Sequence, residues 1–467
     1  MQFNSYIFIM AFLPVFVIAY FVLNKIRPIL GKIGLIFAGI VFYIYGGIEV
    51  AAVFGISIVI NYLMAVIIAK FIHKRYILAV AISSNVGILL FFKYLDFSID
   101  DLVLPLGISF FTFQQIMYVV NIYNEKVSLK LIDYLTYILY FPKILMGPLV
   151  DPKDFLDQIN DADRKKVDWD NIANGLKIFS LGLFKKMVLA DTFAMAVNWA
   201  FSNIDAATSM DWLLAMLFYT FEIYFDFSGY TDMAVGVSNM INIRLPINFD
   251  SPYKATSIRD FWKRWHISLT DFFTKYIYIP LGGNKKGKGR TYVNMMIVFL
   301  ISGVWHGSNW TFILWGVLHG LFNVFDRITE KYRNKINIVI QWMVTFLTVS
   351  VLWLLFRSDS IEQWQSILYK IFTFENISVS DGMTNAFVLP ETAFVFSTFK
   401  LKAIDAAIHG LSLLLFTAAG FGICLIPKNN YRKLDDNSWV MLFISVIALV
   451  WGFLCLSSES VFVYFDF

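Results

Sequence analysis

One of the five histidines, His306, lies in a string of residues that favours acid–base chemistry. This string, WHGSNW at residues 305–310, interrupts a long apolar run. Gly307 can leave a helix and Ser308 can cap the next one, so we predict that the chain turns here. A neutral imidazole in such a run can take a proton from a hydroxyl near pH 7. The alternative is a buried histidine that is hydrogen-bonded to a neighbouring carbonyl. The other histidines give weaker signals: His319 fits helix packing, and His73 and His409 fit solvated or packing positions.

A segment rich in aromatic and basic residues contains a second candidate, His266. Its apolar side chains recur every three or four residues between Ile258 and Tyr276, and Ser257 followed by Asp260 is a typical helix start. We therefore predict an amphipathic helix that lies in a membrane interface. Its basic residues are Arg259, Lys263 and Arg264. Their charge would suit a phosphate-bearing donor, but a surface helix with one boundary histidine explains the pattern equally well.

Two carboxylates, Glu222 and Asp226, are one helical turn apart in an aromatic run. Buried acids are costly unless they are paired, so they either meet a cation such as Arg244 or line a polar cavity. We favour an ion pair that serves as scaffolding. The two cysteines, Cys424 and Cys455, form no pair at metal-binding spacing, and we predict no metal site. The sequence contains no phosphate-binding glycine loop, zincin motif or nucleophile elbow.

The composition indicates that these side chains are carried by helices embedded in a membrane. The chain has 467 residues, of which 58% are hydrophobic and 15% charged; its mean hydropathy is +0.65. Apolar runs between about residues 5 and 456 predict about ten to twelve membrane-embedded helices, at roughly 20 residues for each crossing. We therefore predict an all-α polytopic bundle. A net charge of +4 is too small to suggest a nucleic acid partner.

Basic loops predict which side of the membrane each segment faces, because Lys and Arg stay in the cytoplasm. The loops assigned to the cytoplasm contain Lys25, Arg27 and Lys32; Lys70, Lys74 and Arg75; Lys285 to Arg290; and Arg327 to Lys335. The N-terminus is then outside, and the loop from Asp151 to Asp170 stays ambiguous with a cytoplasmic bias. Residues 292–325 must enter and return to the same side. Since a helix rises about 1.5 Å per residue, His306 is expected deep in the membrane, near the apex of a re-entrant hairpin.

Several longer strings resemble a known enzyme family. They are FDFSGYTDMAVGVS (225–238), RLPINFDSPY (244–253), IRDFWKRWHISLT (258–270), YIYIPLGGN (276–284) and VWHGSNWTFILWGVLHG (304–320). Together with LPLGISFFTFQQIMYVVNIY and FPKILMGPLV upstream, they resemble the membrane-bound O-acyltransferase (MBOAT) family, and most closely its alginate O-acetyltransferase branch. The resemblance covers about residues 104–320, within what we expect to be a single integral-membrane domain over residues 1–467.

The resemblance implies an enzyme of the bacterial cell membrane that moves an acyl group, usually acetyl, from a cytoplasmic thioester to a hydroxyl of an extracellular polysaccharide. The donor would be acetyl-CoA or an acyl carrier protein, with no bound cofactor. A separate exported or membrane-anchored SGNH-hydrolase-like protein would complete the transfer. His306 matches the family's catalytic histidine, and His266 matches its second signature histidine. The remaining candidates are Arg259, Trp262, Lys263 and Arg264 for the donor, Trp305 and Asn309 at the reacting centre, and Asp226 as a residue that orients a histidine.

Three other functions compete with this interpretation. A transporter would also contain broken helices and buried charges, but it predicts related halves, and we find no obvious internal repeat. A teichoic-acid D-alanyl transferase that uses a carrier-protein thioester is another branch of the same family. A structural scaffold for polysaccharide export would tolerate the loss of both histidines.

Overall fold

The computed structural model describes residues 1–71, 74–95, 105–388, 405–427, 429, 438–457 and 462. Every regular element within these ranges is helical, as predicted for an all-α bundle. His73, predicted to occupy a solvated or packing position, lies outside the described residues.

Twenty α-helices follow one another in the described part of the chain. The first ten are α1 Leu13–Ile26, α2 Pro28–Ile44, α3 Ile48–Lys70, α4 Lys74–Leu95, α5 Ile108–Tyr123, α6 Leu131–Ile138, α7 Phe141–Ile144, α8 Pro152–Asn160, α9 Trp169–Phe184 and α10 Asp191–Ser202. The others are α11 Ser209–Met240, α12 Ile258–Arg264, α13 Ile267–Phe273, α14 Gly287–His306, α15 Trp310–Arg333, α16 Ile338–Arg357, α17 Ile361–Thr373, α18 Asp381–Asn385, α19 Asp405–Leu425 and α20 Trp439–Leu454. Turns of π-helix lie at Phe8–Phe12, Lys185–Ala190 and Thr274–Tyr278.

Four helical segments in the described ranges are long and apolar enough to cross a membrane: Phe8–Ile26, Ile48–Lys70, Lys74–Tyr94 and Ile338–Arg357. Three shorter apolar helices are Pro28–Ile44, His409–Leu425 and Trp439–Leu454. Other predicted runs are divided. For example, the apolar run at 134–150 is divided between the end of α6 and α7, with proline at 142 in the first turn of α7 and glycine at 147 beyond its end. The protein is therefore a polytopic helical membrane protein in which long spans and shorter helices are mixed.

The chain divides into two compact units. The first contains residues 1–183, 229–247 and 430–467. Its core includes the rings of Phe8, Phe42 and Phe141, with centres 5.0 to 6.2 Å apart. A fully buried lysine, Lys143, donates from Nζ to Oε1 of Gln114 at 2.8 Å. This bond gives the buried amine a polar partner, as a low-dielectric interior requires.

The second unit contains residues 184–228 and 248–429. Within it, α14 and α15 form the predicted hairpin, and small residues allow their backbones to approach closely. A Cβ atom on Gly303 would lie 2.6 Å from the carbonyl oxygen of Phe312, and one on Gly316 would lie 2.4 Å from that of Phe299. Close helix packing of this kind is typical of membrane proteins. The hairpin places His306 at its turn.

Candidate active site

His306 is the last residue of α14, at the point where the hairpin turns. Gly307 continues with extended backbone. The next helix is capped by Asn309, whose Oδ1 accepts a hydrogen bond from the backbone N–H of Thr311 at 3.1 Å. The prediction of Ser308 as the cap was therefore wrong by one residue. Nδ2 of Asn309 donates to the carbonyl oxygen of Asp359 at 2.7 Å, so this side chain holds the turn in place.

Aromatic rings surround the imidazole of His306, which is only 4% exposed. Its ring centre lies 4.5 Å from that of Trp305, 5.1 Å from that of Trp315 and 5.0 Å from that of Phe356. The last two rings stand nearly perpendicular to it, at 87° and 86°. Such edge-to-face contacts are favourable, and they restrict how the imidazole can rotate. The packing therefore gives His306 a defined orientation at the turn of the hairpin.

His266 lies at a break in the helix that was predicted to run through it. The continuous amphipathic helix is wrong, because α12 ends at Arg264 and α13 begins at Ile267. His266 adopts the left-handed conformation, with φ 45° and ψ 52°. For a residue other than glycine this costs roughly 1–2 kcal/mol. His266 is also buried and touches the ring of Phe227, with centres 4.7 Å apart, instead of lying on the flank of a surface helix.

A neighbouring segment holds this break open. The backbone N–H of Ile267 donates to the carbonyl oxygen of Asn248 at 3.0 Å, and that of Asp250 donates to the carbonyl oxygen of Arg264 at 2.9 Å. The side chain of Asn248 accepts from Ser268 Oγ at 2.6 Å. These bonds satisfy backbone groups that a continuous helix would have paired, which explains how the strained residue is stabilised.

The segments that contain the two histidines share one aromatic cluster, made of Trp262, Trp265, Trp315, Trp353 and Phe356 and called the aromatic wall below. Trp265, which precedes His266, lies 4.9 Å from Trp353, and Trp353 lies 5.7 Å from Trp315. Trp315 in turn contacts His306. On another side, Phe273 at the end of α13 lies 6.4 Å from Trp305. Trp315, Trp353 and Phe356 were not predicted as site residues, since aromatic residues in an apolar run face lipid just as often.

Two of the three basic residues predicted to contact a donor form ion pairs within the protein. Arg259 pairs with Glu330 at 2.9 Å, and Arg264 pairs with Asp260 at 3.0 Å. Lys263 is exposed, and within the described residues it forms no hydrogen bond or ion pair that competes with a ligand. Of the three basic side chains, Lys263 is therefore the one most available to an anionic group.

The carboxylates of α11 belong to a buried ionic cluster. Lys186 Nζ donates to Asp226 Oδ1 at 2.7 Å and lies 2.9 Å from Asp191 Oδ1. Asp226 therefore forms a buried ion pair, and its cation is Lys186 instead of the Arg244 suggested from the sequence. Glu222, one turn earlier, is also buried, and no hydrogen-bond partner within the described residues reaches its Oε2. This cluster fixes α11 against the π-helical turn that contains Lys186.

Comparison with known proteins decides what this site belongs to. The profile of MBOAT, the membrane-bound O-acyltransferase family, matches residues 124–358, which include both candidate histidines and the aromatic wall. The peptidoglycan O-acetyltransferase of Helicobacter pylori is 35% identical, over all of this chain and 97% of the relative. The chain belongs to the membrane-bound O-acyltransferase family. The likeness proposed from the sequence motifs is thus confirmed, and the protein is a membrane-bound O-acyltransferase.

Two further relatives indicate the range of acceptors within the family. A protein of Azotobacter vinelandii named probable alginate O-acetylase AlgI is 33% identical, over 88% of this chain and 85% of the relative. The teichoic acid D-alanyltransferase of Bacillus subtilis is 31% identical, over 53% of this chain and 67% of the relative. The two relatives named for O-acetylation therefore match a larger share of this chain than the D-alanyltransferase does.

Proposed function

We propose that this O-acyltransferase moves an acetyl group from a thioester on the cytoplasmic side of a bacterial membrane to a hydroxyl of an extracellular polysaccharide. The observation that supports it best is His306, a buried imidazole oriented by aromatic rings at the turn of the α14–α15 hairpin. Two relatives named for O-acetylation each match more than four fifths of the chain, which favours acetyl as the acyl group.

In the proposed reaction, His306 takes the proton from the acceptor hydroxyl. The oxygen then attacks the carbonyl carbon of the thioester, the carbon–sulfur bond breaks, and the proton returns to the departing sulfur. General-base catalysis of this kind typically contributes about 10²- to 10⁴-fold in rate. Because Trp305, Trp315 and Phe356 restrict the imidazole, little reorientation is needed before the proton moves.

The second histidine and its basic neighbours would act on the donor side of the reaction. His266, held in a strained conformation beside the aromatic wall, would assist at the donor side of the same reaction. Lys263 would contact a phosphate of the donor, whether that donor is acetyl-CoA or a carrier protein with a phosphopantetheine arm. Trp262, with the paired Arg259 and Arg264, would shape the approach, and Asn309 would keep the turn rigid.

The acceptor is proposed as a class. The printed names of the two O-acetylating relatives refer to peptidoglycan and to alginate, so an extracellular glycan is the acceptor class that the comparisons support. A separate SGNH-hydrolase-like protein would complete the transfer outside the membrane, and the N-terminus would also lie outside.

Asp226 would orient a histidine only indirectly, through the packing of α11.

The test compares donors in membranes from cells with and without this protein, in the presence of their own envelope components. Labelled acetyl-CoA, a carrier protein charged with labelled acetyl and one charged with labelled D-alanine are each supplied on the cytoplasmic side. We expect label that mild base releases from surface polymer as acetate, and only when the protein is present. Label transferred only as D-alanine would contradict the acetyl assignment and support the D-alanyl function. Normal polymer export with no label from any donor would support a transporter or scaffold.

A further inference from the structure

His319 occupies the centre of the aromatic wall, although its sequence context predicted ordinary helix packing. It lies on α15, thirteen residues after His306, and is fully buried. Its ring centre is 4.6 Å from that of Trp315 and 5.1 Å from that of Trp262. Trp315 contacts His306 as well. One indole therefore stands in contact with both imidazoles of the hairpin.

A hydrogen bond determines the protonation of this imidazole. Trp262 Nε1 lies 3.2 Å from Nδ1 of His319. An indole nitrogen can only donate, so Nδ1 must accept and the ring must be neutral, with its proton on Nε2. Nε2 is buried and has no hydrogen-bond partner among the described residues. An apolar side chain of similar size would avoid the cost of burying this polar group, so packing alone does not account for a histidine here.

The hydrogen bond joins α12, which ends two residues before His266, to α15, which follows His306 across the turn. Trp262 is on α12, four residues before His266, whereas His319 is on the helix that follows His306. A second connection lies three residues earlier on α12, where the backbone N–H of Arg259 donates to Asp326 Oδ2 at 3.2 Å. Residues 319 and 326 are two helical turns apart, so α12 lies along one face of α15. Of these two bonds, the Trp262–His319 bond is the one that joins two side chains, and its acceptor, His319, is fully buried.

We propose that His319 is a positioning residue: by accepting the Trp262 N–H, it fixes α12 against the hairpin and holds Trp315 against His306. The role rests on the proposed acyl transfer, because it concerns how two catalytic groups are placed. His319 itself contacts Trp262 and Trp315 and acts through them. Displacement by about 1 Å of a group that positions reactants can lower a rate by about a hundredfold, so a neutral hydrogen bond at this point can have a large effect.

The test uses full-length protein in membranes and varies only the two bonded side chains. His319→Phe keeps a ring but removes the acceptor, Trp262→Phe removes the donor, and the double variant removes both. His319→Asn restores an acceptor, because Asn Oδ1 is the same number of bonds from the backbone as His Nδ1. Thr329→Ala serves as the matched control, because Thr329 is a half-buried position on the same helix whose hydroxyl donates to the Phe325 carbonyl oxygen of that helix. Transfer from labelled acetyl-CoA is measured per amount of folded enzyme, as kcat and KM.

We expect His319→Phe and Trp262→Phe each to lower kcat by about tenfold or more. In His319→Phe, which leaves the donor-side residues in place, KM for acetyl-CoA should stay within about twofold. The double variant should lose about as much as either single variant, since both remove one bond. His319→Asn and Thr329→Ala should stay near wild type. Wild-type kcat in His319→Phe, an equal loss in His319→Asn, or losses that multiply in the double variant would each overturn the positioning role. A merely structural residue would change the yield of folded protein and leave kcat per folded enzyme unchanged.

A second measurement separates failure of this proposal from failure of the proposed function. The indole N–H band in ultraviolet resonance Raman spectra reports whether a tryptophan donates a hydrogen bond, and it requires no transfer. We expect His319→Phe to remove one bonded indole and His319→Asn to keep it. An unchanged band in His319→Phe would overturn the bond itself. The expected band change in a protein whose wild type transfers no acetyl would overturn the proposed function, and with it the positioning role.

Discussion

The indole of Trp315 stands at 87° to the imidazole of His306, with the two ring centres 5.1 Å apart. Trp315 also contacts Trp353 and Phe356, so one side chain joins the turn of the hairpin to α16. An edge-to-face contact contributes about 0.5–1.5 kcal/mol beyond its buried area, which is enough to favour one orientation of the imidazole. The effect of this contact on catalysis can be separated from its effect on folding by comparing substitutions of two tryptophans on the same helix.

Trp315→Leu is expected to lower acetyl transfer per folded enzyme by about tenfold or more, because the His306 imidazole loses the ring that limits its rotation. Trp310→Leu provides the matched control, since Trp310 begins the same helix but is 70% exposed. It should leave transfer unchanged. The measurement is labelled acetyl incorporated into surface polymer at equal amounts of folded protein. Equal activity in the two variants would contradict a role for the aromatic wall.

His266→Asn separates the imidazole of His266 from its backbone conformation. Asparagine tolerates the left-handed region better than most residues, so the fold and the melting temperature should be retained. Transfer should nevertheless be lost, because no imidazole remains at the donor side. His266→Val should lose both, since a β-branched residue is strongly disfavoured at φ 45°. Full transfer by His266→Asn would show that the backbone conformation at this position matters and the imidazole does not.

Asp226→Asn should destabilise the protein by about 3–5 kcal/mol, because it leaves Lys186 with an incompletely compensated charge in a buried site. The two side chains are 1% and 2% exposed. Thermal unfolding in detergent measures the change. The exposed pair Lys166–Asp163, at 2.9 Å, is the control. Asp163→Asn should leave the melting temperature unchanged, since solvent screens surface ion pairs. Similar shifts in the two variants would show that the cluster does not act as a buried scaffold.

Gly303→Ala should disrupt the hairpin, because its Cβ would lie 2.6 Å from the Phe312 carbonyl oxygen. Overpacking of this kind typically costs about 1–3 kcal/mol. Gly289→Ala, on the same helix, meets no atom within 4 Å. It should be neutral or should stabilise the protein by about 0.4–1 kcal/mol, because alanine has less freedom in the unfolded chain. Thermal unfolding of both variants tests this, and a similar stability for the two would refute the close helix packing.

The sequence was sufficient to predict the local features of the site. Helical composition, the hairpin turn at His306 and the membrane location follow from hydropathy and from a glycine at the break. Features that depend on distant residues were missed. Both Ser308 and Asn309 are good helix caps, and Asn309 serves as the cap while its Nδ2 bonds to Asp359, fifty residues away. The break at His266 likewise depends on Asn248, which the period of apolar residues does not report.

The same limit applies to contacts within the apolar runs. Lys186 is forty residues from Asp226, so their pairing is a tertiary fact that no local spacing predicts. An aromatic residue such as Trp353 has the same signature in the sequence whether it faces lipid or a histidine. The family motifs compensated for this limit at His266 and His306, because they mark positions by residue type and order. The motifs also contain Trp262, Trp265 and Trp315, but they gave no information about the contacts that join these rings to Trp353 and Phe356.

The central claim is that His306 performs acyl transfer. Membranes with wild-type protein, His306→Ala or His409→Ala, matched for folded protein and supplied with labelled acetyl-CoA and the native envelope components, provide the most direct measurement. We predict that His306→Ala lowers base-releasable acetyl on surface polymer by about 10²- to 10⁴-fold, whereas His409→Ala, a histidine on α19 outside the aromatic wall, transfers as wild type does. Transfer by His306→Ala at the wild-type rate would contradict the account.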